Sequence, residues 1–295
     1  MTAICLLGFG EVGQILAQDL RALEVGEISS WDPKFADAGS APSRALGASK
    51  TRAGADPASA LSGADIVISA VTAAQTVEAA RAAASGLRSG MFYVDLNSTA
   101  PGVKRNAAAI VQASGASYVE VAVISPVPPK RIRTPMLLGG PAARDFLPAM
   151  RGLGFEGATF YSEDFGKASA VKMCRSVIVK GMETLLTESM LAARRYQVED
   201  DVLASLSAVF SNPDWKQTAH YMISRSVEHG NRRAEEMRDA AHTVLGAGVE
   251  PLLTNACVER QEWAAQFKDA LSHPDLAGML DAILAQDERN KKSGQ

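Results

Sequence analysis

The chain has 295 residues, 47% of them hydrophobic, and a formal net charge of −3, so nothing in its composition predicts a nucleic acid or an anionic membrane as a partner. Its three cysteines, Cys5, Cys174 and Cys257, have no spacing typical of a zinc site or a disulfide framework, which predicts a reducing compartment and no bound metal. The apolar run at the N-terminus lacks a basic leader and is too short to span a membrane, so we expect a cytoplasmic protein.

Short β-rich runs alternate with alanine-rich helical stretches as far as residue 163. Several runs are continuously apolar, as is usual for strands of a parallel sheet covered on both faces. This alternation predicts a Rossmann-type α/β domain with a doubly wound sheet over residues 1–163. The predicted strands are Ala3–Leu7, Glu27–Trp31, Ile66–Ala70, Met91–Leu96, Tyr118–Val123, Pro135–Gly139 and, with a weaker pattern, Thr159–Tyr161.

Beyond Gly166 the strand pattern ends, and apolar residues recur at helical spacing. We therefore expect an all-α domain over residues 164–295, with a turn at Asn212-Pro213 between two of its helices. The predicted helices are Ala168–Arg195, Val198–Phe210, Trp215–Ser226, Arg232–Leu245 and Pro251–Leu271.

A glycine turn, Gly8-Phe9-Gly10-Glu11-Val12-Gly13, follows the first strand directly and opens a helix. In a dinucleotide-binding turn the first glycine permits the tight bend, the second lets main-chain N–H groups approach the diphosphate, and the third lets the helix pack closely on the strand. The positive end of the helix dipole then faces the phosphates. The turn predicts that all six residues contribute to a nicotinamide dinucleotide site.

The second strand ends at Asp32, 19 residues after Gly13, close to the ~20 expected for the acid that binds the ribose 2′-hydroxyl. This favours NAD, although Lys34 leaves NADP open because a lysine can bind a 2′-phosphate. Val71 and Thr72, at the end of the third predicted strand, are further candidates for cofactor contacts.

Together with the glycine turn, four segments resemble the β-hydroxyacid dehydrogenases, the family of 3-hydroxyisobutyrate and 6-phosphogluconate dehydrogenases. The segment Asp95–Pro101 resembles the one that contacts substrate and nicotinamide, which implies a cofactor role for Asn97. The segment Gly166–Lys172 resembles the start of the helix that carries the catalytic acid/base, which implies that role for Lys172. Pro126–Pro129 and His229–Met237 resemble a branch with a phosphogluconate-dehydrogenase-like C-terminal domain. The family also implies a homodimer formed through the helical domains.

The residues around Lys172 independently suit this role. Its neighbours one helical turn away, Ala168, Ser169 and Ser176, are small enough to leave space for a ligand. A partly desolvated amine favours its neutral form, which can accept the proton of a substrate hydroxyl. The alternatives are a lysine that extends to solvent and a catalytic role for Lys180, two turns further along.

Candidate substrate ligands follow the strands at their carboxyl ends, where open α/β sheets bind ligands. Two of them depart from the family pattern. Ser125 lies in Ile124-Ser125-Pro126, where the family has Ser-Gly-Gly and where proline removes an N–H donor, and Ser176 stands where the family has asparagine. A basic run on one helix suits a carboxylate or phosphate, although a solvated charged face is an alternative. The candidates are Asn97, Ser98, Thr99, Ser125, Ser176, His229, Arg232 and Arg233.

Together these features predict an NAD(P)-dependent oxidoreductase that acts on the alcohol or carbonyl group of a small anionic hydroxy acid. An imine reductase is one alternative, although such enzymes usually lack the lysine. A non-catalytic dinucleotide-binding sensor is another.

Overall fold

A computed structural model describes residues 2–210 and 214–293, and the chain divides into two units, Met1–Met173 and Cys174–Gln295. The predicted turn at Asn212-Pro213 lies outside the described residues. The helix that begins at Lys167 contains the division, so the first unit includes about two turns of helix beyond the predicted domain boundary. That boundary, after residue 163, stays a prediction.

One sheet of eight strands forms the centre of the first unit, in the order β3-β2-β1-β4-β5-β6-β7-β8. The pairs from β3 to β6 are parallel, β7 is antiparallel to β6, and β8 is parallel to β7. The strands are β1 (Ile4–Leu7), β2 (Ile28–Trp31), β3 (Arg52–Ala53), β4 (Ile66–Ser69), β5 (Phe92–Asp95), β6 (Ser117–Val123), β7 (Met136–Gly139) and β8 (Ala158–Ser162).

The reversal of direction after β6 was not predicted, and it has a simple cause. A parallel crossover needs about a dozen residues or more, usually with a helix that spans the sheet. The link of residues 124–135 is just twelve residues long, and its four-residue helix Val127–Lys130 and 3₁₀ turn are too short to span the sheet, so the chain returns beside β6 in the opposite direction.

Helices cover both faces of the sheet, which explains the apolar strands. In β1, Ile4 and Leu6 belong to one core and Cys5 and Leu7 to the other, because alternate residues of a strand point to opposite faces. The helices are α1 (Glu11–Ala22), α2 (Ala41–Ser49), α3 (Pro57–Leu61), α4 (Thr76–Ala83), α5 (Pro101–Ala113), α6 (Val127–Lys130), α7 (Ala143–Gly152) and the start of α8 (Lys167–Tyr196).

The second unit is built from the rest of α8 with α9 (Glu199–Val209), α10 (Trp215–Gly246), α11 (Leu252–Ala264) and α12 (Leu276–Ser293). The predicted fold class, a Rossmann-type α/β domain followed by an all-α domain, is confirmed. Three details of the helix prediction are wrong. The segments Trp215–Ser226 and Arg232–Leu245 form one continuous helix, Pro251–Leu271 is helical only to Ala264 before a short 3₁₀ turn, and α12 was not predicted.

Gly230, in the middle of α10, is a contact point with α11 and does not break the helix. A Cβ atom at this position would lie 2.2 Å from the carbonyl oxygen of Gln261 on α11. The glycine therefore permits close packing of two helices rather than marking a turn. Of the described residues, no helix combines the length and the apolar character needed to cross a bilayer.

Candidate active site

The glycine turn between β1 and α1 has the geometry of a dinucleotide site. Gly8 has a φ of +94°, and a Cβ there would lie 2.5 Å from the carbonyl oxygen of Ala70. A Cβ on Gly13 would lie 2.2 Å from the carbonyl oxygen of Gly8, so α1 can pack on the turn only with glycine there. A Cβ on Gly10, in contrast, would meet no protein atom within 4 Å. The two outer glycines are fixed by packing, and the central one leaves an open main-chain surface.

The start of α1 fits a diphosphate. Gly10 is the N-cap residue and provides no side-chain cap, so the first-turn N–H groups and the positive end of the helix dipole remain available to an anion. The Phe9 ring is fully buried and Val12 packs partly buried against the same core, so both present mainly main chain at the turn. Glu11 occupies the first helical turn.

Asp32 ties the glycine turn to the end of β2. Its Oδ2 accepts the main-chain N–H of Phe9 at 2.7 Å, and its Oδ1 accepts that of Lys34 at 2.9 Å. A carboxylate has about four acceptor sites, so each oxygen retains capacity for a ribose hydroxyl. The Lys34 side chain is exposed.

Asn97 joins the ends of β4 and β5. Its Oδ1 accepts the N–H of Val71 at 2.7 Å, and its Nδ2 donates to the Oγ of Ser69 at 3.0 Å. The side chain is buried, so Asn97 holds the strand ends in position as well as lying at the predicted cofactor edge. Thr72 begins a 3₁₀ turn after β4, and Thr99 is buried after β5.

Lys172 and Ser98 are brought together although 74 positions separate them in sequence. The Nζ of Lys172 donates a hydrogen bond to the Oγ of Ser98, and both side chains are partly buried. Ser98 follows β5 at its carboxyl end, and Lys172 lies in the second turn of α8. The amine is thus held at the edge of the sheet where the glycine turn also lies.

The hydroxyl of Ser125 is buried and has no hydrogen-bond partner among the residues that the structure describes. Ser125 follows β6, the strand next to β5, at the same carboxyl edge. A buried hydroxyl without a partner costs free energy unless something binds it. Ser125 therefore has the chemistry of a ligand-binding group.

A buried polar cluster beneath Ser98 was not predicted. The Nζ of Lys104 lies 2.9 Å from Oδ1 of Asp95, and the hydroxyl of Tyr118 donates to Oδ2 at 2.5 Å. Burial raises the pKa of Tyr118 well above its ordinary value and the Asp95 carboxylate raises it further, so this hydroxyl stays protonated. Glu120, also fully buried, accepts the main-chain N–H of Ser169 at 2.6 Å. The only sequence signal was a charged residue at the end or in the middle of an apolar strand.

The predicted ligands of the second unit have partners of their own. Arg233 forms a buried ion pair with Glu183, and the Nε2 of His229 lies 3.1 Å from Glu228. Burial lowers the pKa of His229, and nearby Arg225 lowers it further. Two other predicted ligands have the following contacts: Arg232 lies 3.5 Å from Glu236, and Ser176 accepts a hydrogen bond from Lys180 at 3.2 Å.

Lys180 is itself paired with Glu236 at 2.8 Å. The substrate roles of these residues stay predictions.

Over residues 2–210 and 214–293, no group of three or more His, Cys, Asp or Glu side chains is arranged to hold a metal ion.

Comparison with known proteins gives two family matches. Residues 3–144 match the NAD binding domain of 6-phosphogluconate dehydrogenase, and residues 193–264 match a domain of unknown function, DUF1932. No curated protein matches the chain.

Among solved structures, a conserved hypothetical protein from Sinorhizobium meliloti 1021 is 32% identical, with 96% of each chain covered and a TM-score of 0.76. A conserved protein of unknown function, described as structurally similar to 3-hydroxyacid dehydrogenases, is 26% identical, with 90% of this chain and 97% of that chain covered and a TM-score of 0.71. The Mycobacterium tuberculosis 3-hydroxyisobutyrate dehydrogenase with L-serine has a TM-score of 0.71 at 16% identity, with 97% of this chain and 99% of that chain covered. That last likeness shows the fold alone.

Proposed function

Because the chain belongs to the β-hydroxyacid dehydrogenase family, we propose that it is an NAD(P)-dependent dehydrogenase or reductase with Lys172 as its general acid/base. The observation that carries the proposal is the hydrogen bond from the Lys172 amine to Ser98 at the carboxyl edge of the sheet. In open α/β sheets this edge is where ligands bind.

The cofactor supplies hydride chemistry at its nicotinamide ring. The main chain of residues 8–13 and the α1 N-terminus would hold the diphosphate, and Asp32 the adenosine ribose. Val71, Thr72 and Asn97 would continue the cofactor surface along the ends of β4 and β5. The Asp32 carboxylate is buried against the turn, and its negative charge would repel the 2′-phosphate of NADP, which favours NAD.

Lys172 would move the proton that accompanies hydride transfer. In the oxidative direction its Nζ accepts the proton of the substrate hydroxyl, and in the reductive direction it donates a proton to the oxygen of the carbonyl group. The hydrogen bond to Ser98 fixes the amine in one direction, so the chemistry does not depend on a freely rotating side chain.

The substrate would be a small hydroxy acid or a related anion. Ser98, Thr99 and the buried hydroxyl of Ser125 supply short polar groups around the reacting carbon. Within the second unit, cationic and polar groups would bind a carboxylate or phosphate; these are Ser176, His229, Arg232 and Arg233.

Replacement of Lys172 by methionine tests the proposal. General acid/base catalysis contributes about 10²- to 10⁴-fold, so Lys172→Met should lower kcat by that factor while calorimetry shows unchanged affinity for NAD and NADP. Substrates are found by screening hydroxy acids and sugar acids for reduced-cofactor absorbance.

Lys180→Met is the comparison variant, because Lys180 lies on the same helix and is the rival candidate. Full activity in Lys172→Met with loss in Lys180→Met would contradict the assignment. Cofactor binding by a wild-type protein that turns over no hydroxy acid would favour a sensor, and reduction of imines would favour an imine reductase.

A further inference from the structure

Two buried carboxylates lie side by side beneath the candidate active site. Asp95 on β5 and Glu120 on β6 are register partners in the parallel sheet, and neither is exposed to solvent. Buried carboxylates are expensive unless they are paired or hydrogen-bonded, so each must have compensating contacts. Asp95 contacts the segment that carries Ser98, and Glu120 contacts the start of the helix that carries Lys172.

Asp95 fixes the half that carries Ser98. Its Oδ1 accepts the main-chain N–H of Asn97 at 2.8 Å, which bends the chain as it leaves β5. The charge is balanced by Lys104, whose Nζ also donates to the carbonyl oxygen of Asp95 at 3.0 Å. Ser98 follows Asn97 directly, so the hydrogen bond to the Asn97 N–H also anchors the backbone of Ser98.

Glu120 fixes the half that carries Lys172. Its Oε2 accepts the N–H of Gly166 at 2.5 Å and its Oε1 that of Ser169 at 2.6 Å, which satisfies two of the N–H groups left open at the start of α8. The positive end of the helix dipole compensates its negative charge. Gly166 has a φ of +94°, which L side chains rarely adopt, so the backbone at the entry to the helix favours glycine as well.

We propose that Glu120 is a positioning residue for Lys172, a role that rests on the proposed function of that lysine. Ser169 and Lys172 are three residues apart and therefore lie on the same side of α8. By accepting the N–H of Ser169, the Glu120 carboxylate fixes the position and rotation of the α8 turn from which the Lys172 side chain extends. A misplacement of about 1 Å can lower a rate by about 10²-fold, so this anchor is coupled to catalysis.

The test replaces Glu120 by glutamine and measures two quantities. Glutamine presents an NH₂ group to one of the two N–H donors, so the first turn of α8 should shift. We expect kcat to fall by about 10- to 100-fold with the cofactor Kd unchanged. We also expect acetic anhydride to label Lys172 several-fold faster, relative to the exposed Lys50 in the same sample, because the amine loses its fixed contact with Ser98.

Asp56→Ala is the matched control. Asp56 caps α3 by accepting the N–H of Ser59 at 2.7 Å, and it belongs to neither predicted site. Its loss should lower the melting temperature and leave both kcat and the labelling of Lys172 unchanged. Glu120→Asp keeps the charge but is one methylene shorter; its effects should be smaller, and it replaces Glu120→Gln if that variant does not fold.

The outcomes separate the two proposals. A folded Glu120 variant with wild-type labelling of Lys172 and wild-type kcat, changed only in melting temperature, overturns the positioning role. Faster labelling with a lower kcat supports it. If the wild-type protein shows no turnover, the proposed function fails, while the labelling ratio still decides whether Glu120 positions the amine.

Discussion

At the scale of single residues, the three glycines of the cofactor turn have separable tasks. A Cβ on Gly13 would overlap the carbonyl oxygen of Gly8, whereas a Cβ on Gly10 would meet only open space on the side where a diphosphate would bind. The φ of Gly10, −71°, is also one that alanine adopts.

Two alanine substitutions should therefore give opposite results. Gly13→Ala should lower the free energy of unfolding by about 1–3 kcal/mol, because backbone must move to accept the methyl group. Gly10→Ala should cost less than about 1 kcal/mol at a helix N-cap but should abolish high-affinity NAD binding. Urea unfolding and calorimetric NAD titration measure the two effects. Equal NAD affinity in Gly10→Ala and the wild type would contradict a diphosphate at this turn.

The candidate site was predictable where short motifs encode it and unpredictable where strand register creates it. Ser98 and Lys172 were both predicted, and the structure brings them together. Asp95 and Glu120 were not chosen, because a carboxylate in an apolar strand has no visible partner until neighbouring strands and the next helix are in place. Their roles depend on which residues the register sets side by side.

At the scale of helices, a buried ion pair joins α8 to α10 in the second unit. Glu183 and Arg233 are both buried, and Gln261 on α11 also contacts Glu183, at 3.4 Å. Burial raises the pKa of Glu183 in spite of the nearby guanidinium, and burial lowers the pKa of Arg233. Both directions indicate that desolvation outweighs the attraction between the two charges.

We therefore expect the loss of one partner to be worse than the loss of both. Arg233→Met alone should destabilise the second unit by about 3–5 kcal/mol, because it leaves a buried carboxylate unpaired. The double variant Glu183→Leu/Arg233→Met should recover most of that loss. Urea unfolding followed by the fluorescence of Trp215 and Trp263 reports on this unit when Trp31 of the first unit is replaced by phenylalanine. A double variant no more stable than Arg233→Met would show that the ion pair itself stabilises the helices.

Strand boundaries were predicted better than helix boundaries. Seven of the eight strands were located to within about two residues, and the missing one, β3, has only two residues and both are exposed. The gap predicted inside α10, residues 227–231, contains Gly230, whose role is contact with another helix. A single sequence does not distinguish a glycine that ends a helix from one that admits a neighbour.

At the scale of the whole molecule, we expect two copies of the chain to pair through α8. Ile178 and Leu185 lie two helical turns apart and are each 67% exposed, whereas Leu186 and Met190 are buried in the core of their own unit and Met182 packs against it. Exposed apolar residues in a row indicate a binding surface.

We expect the wild type to be a dimer in size-exclusion chromatography with light scattering and the double variant Ile178→Lys/Leu185→Lys to be monomeric. Leu252→Lys/Leu253→Lys, which changes two still more exposed residues on α11, is the comparison. A monomeric wild-type protein would contradict the expected homodimer.

The reversal of β7 has a practical consequence for changing substrate preference. The segment 124–135, which contains Ser125, leaves and re-enters the sheet at the same edge, and its ends are clamped by a 3.0 Å hydrogen bond from the N–H of Ile124 to the carbonyl of Pro135. The free energy of closing such a loop depends only weakly on its length. Val127 and Ile132 belong to the core and Arg131 pairs with Asp19, so a library that diversifies this stretch for new substrates should keep these three residues and vary the others.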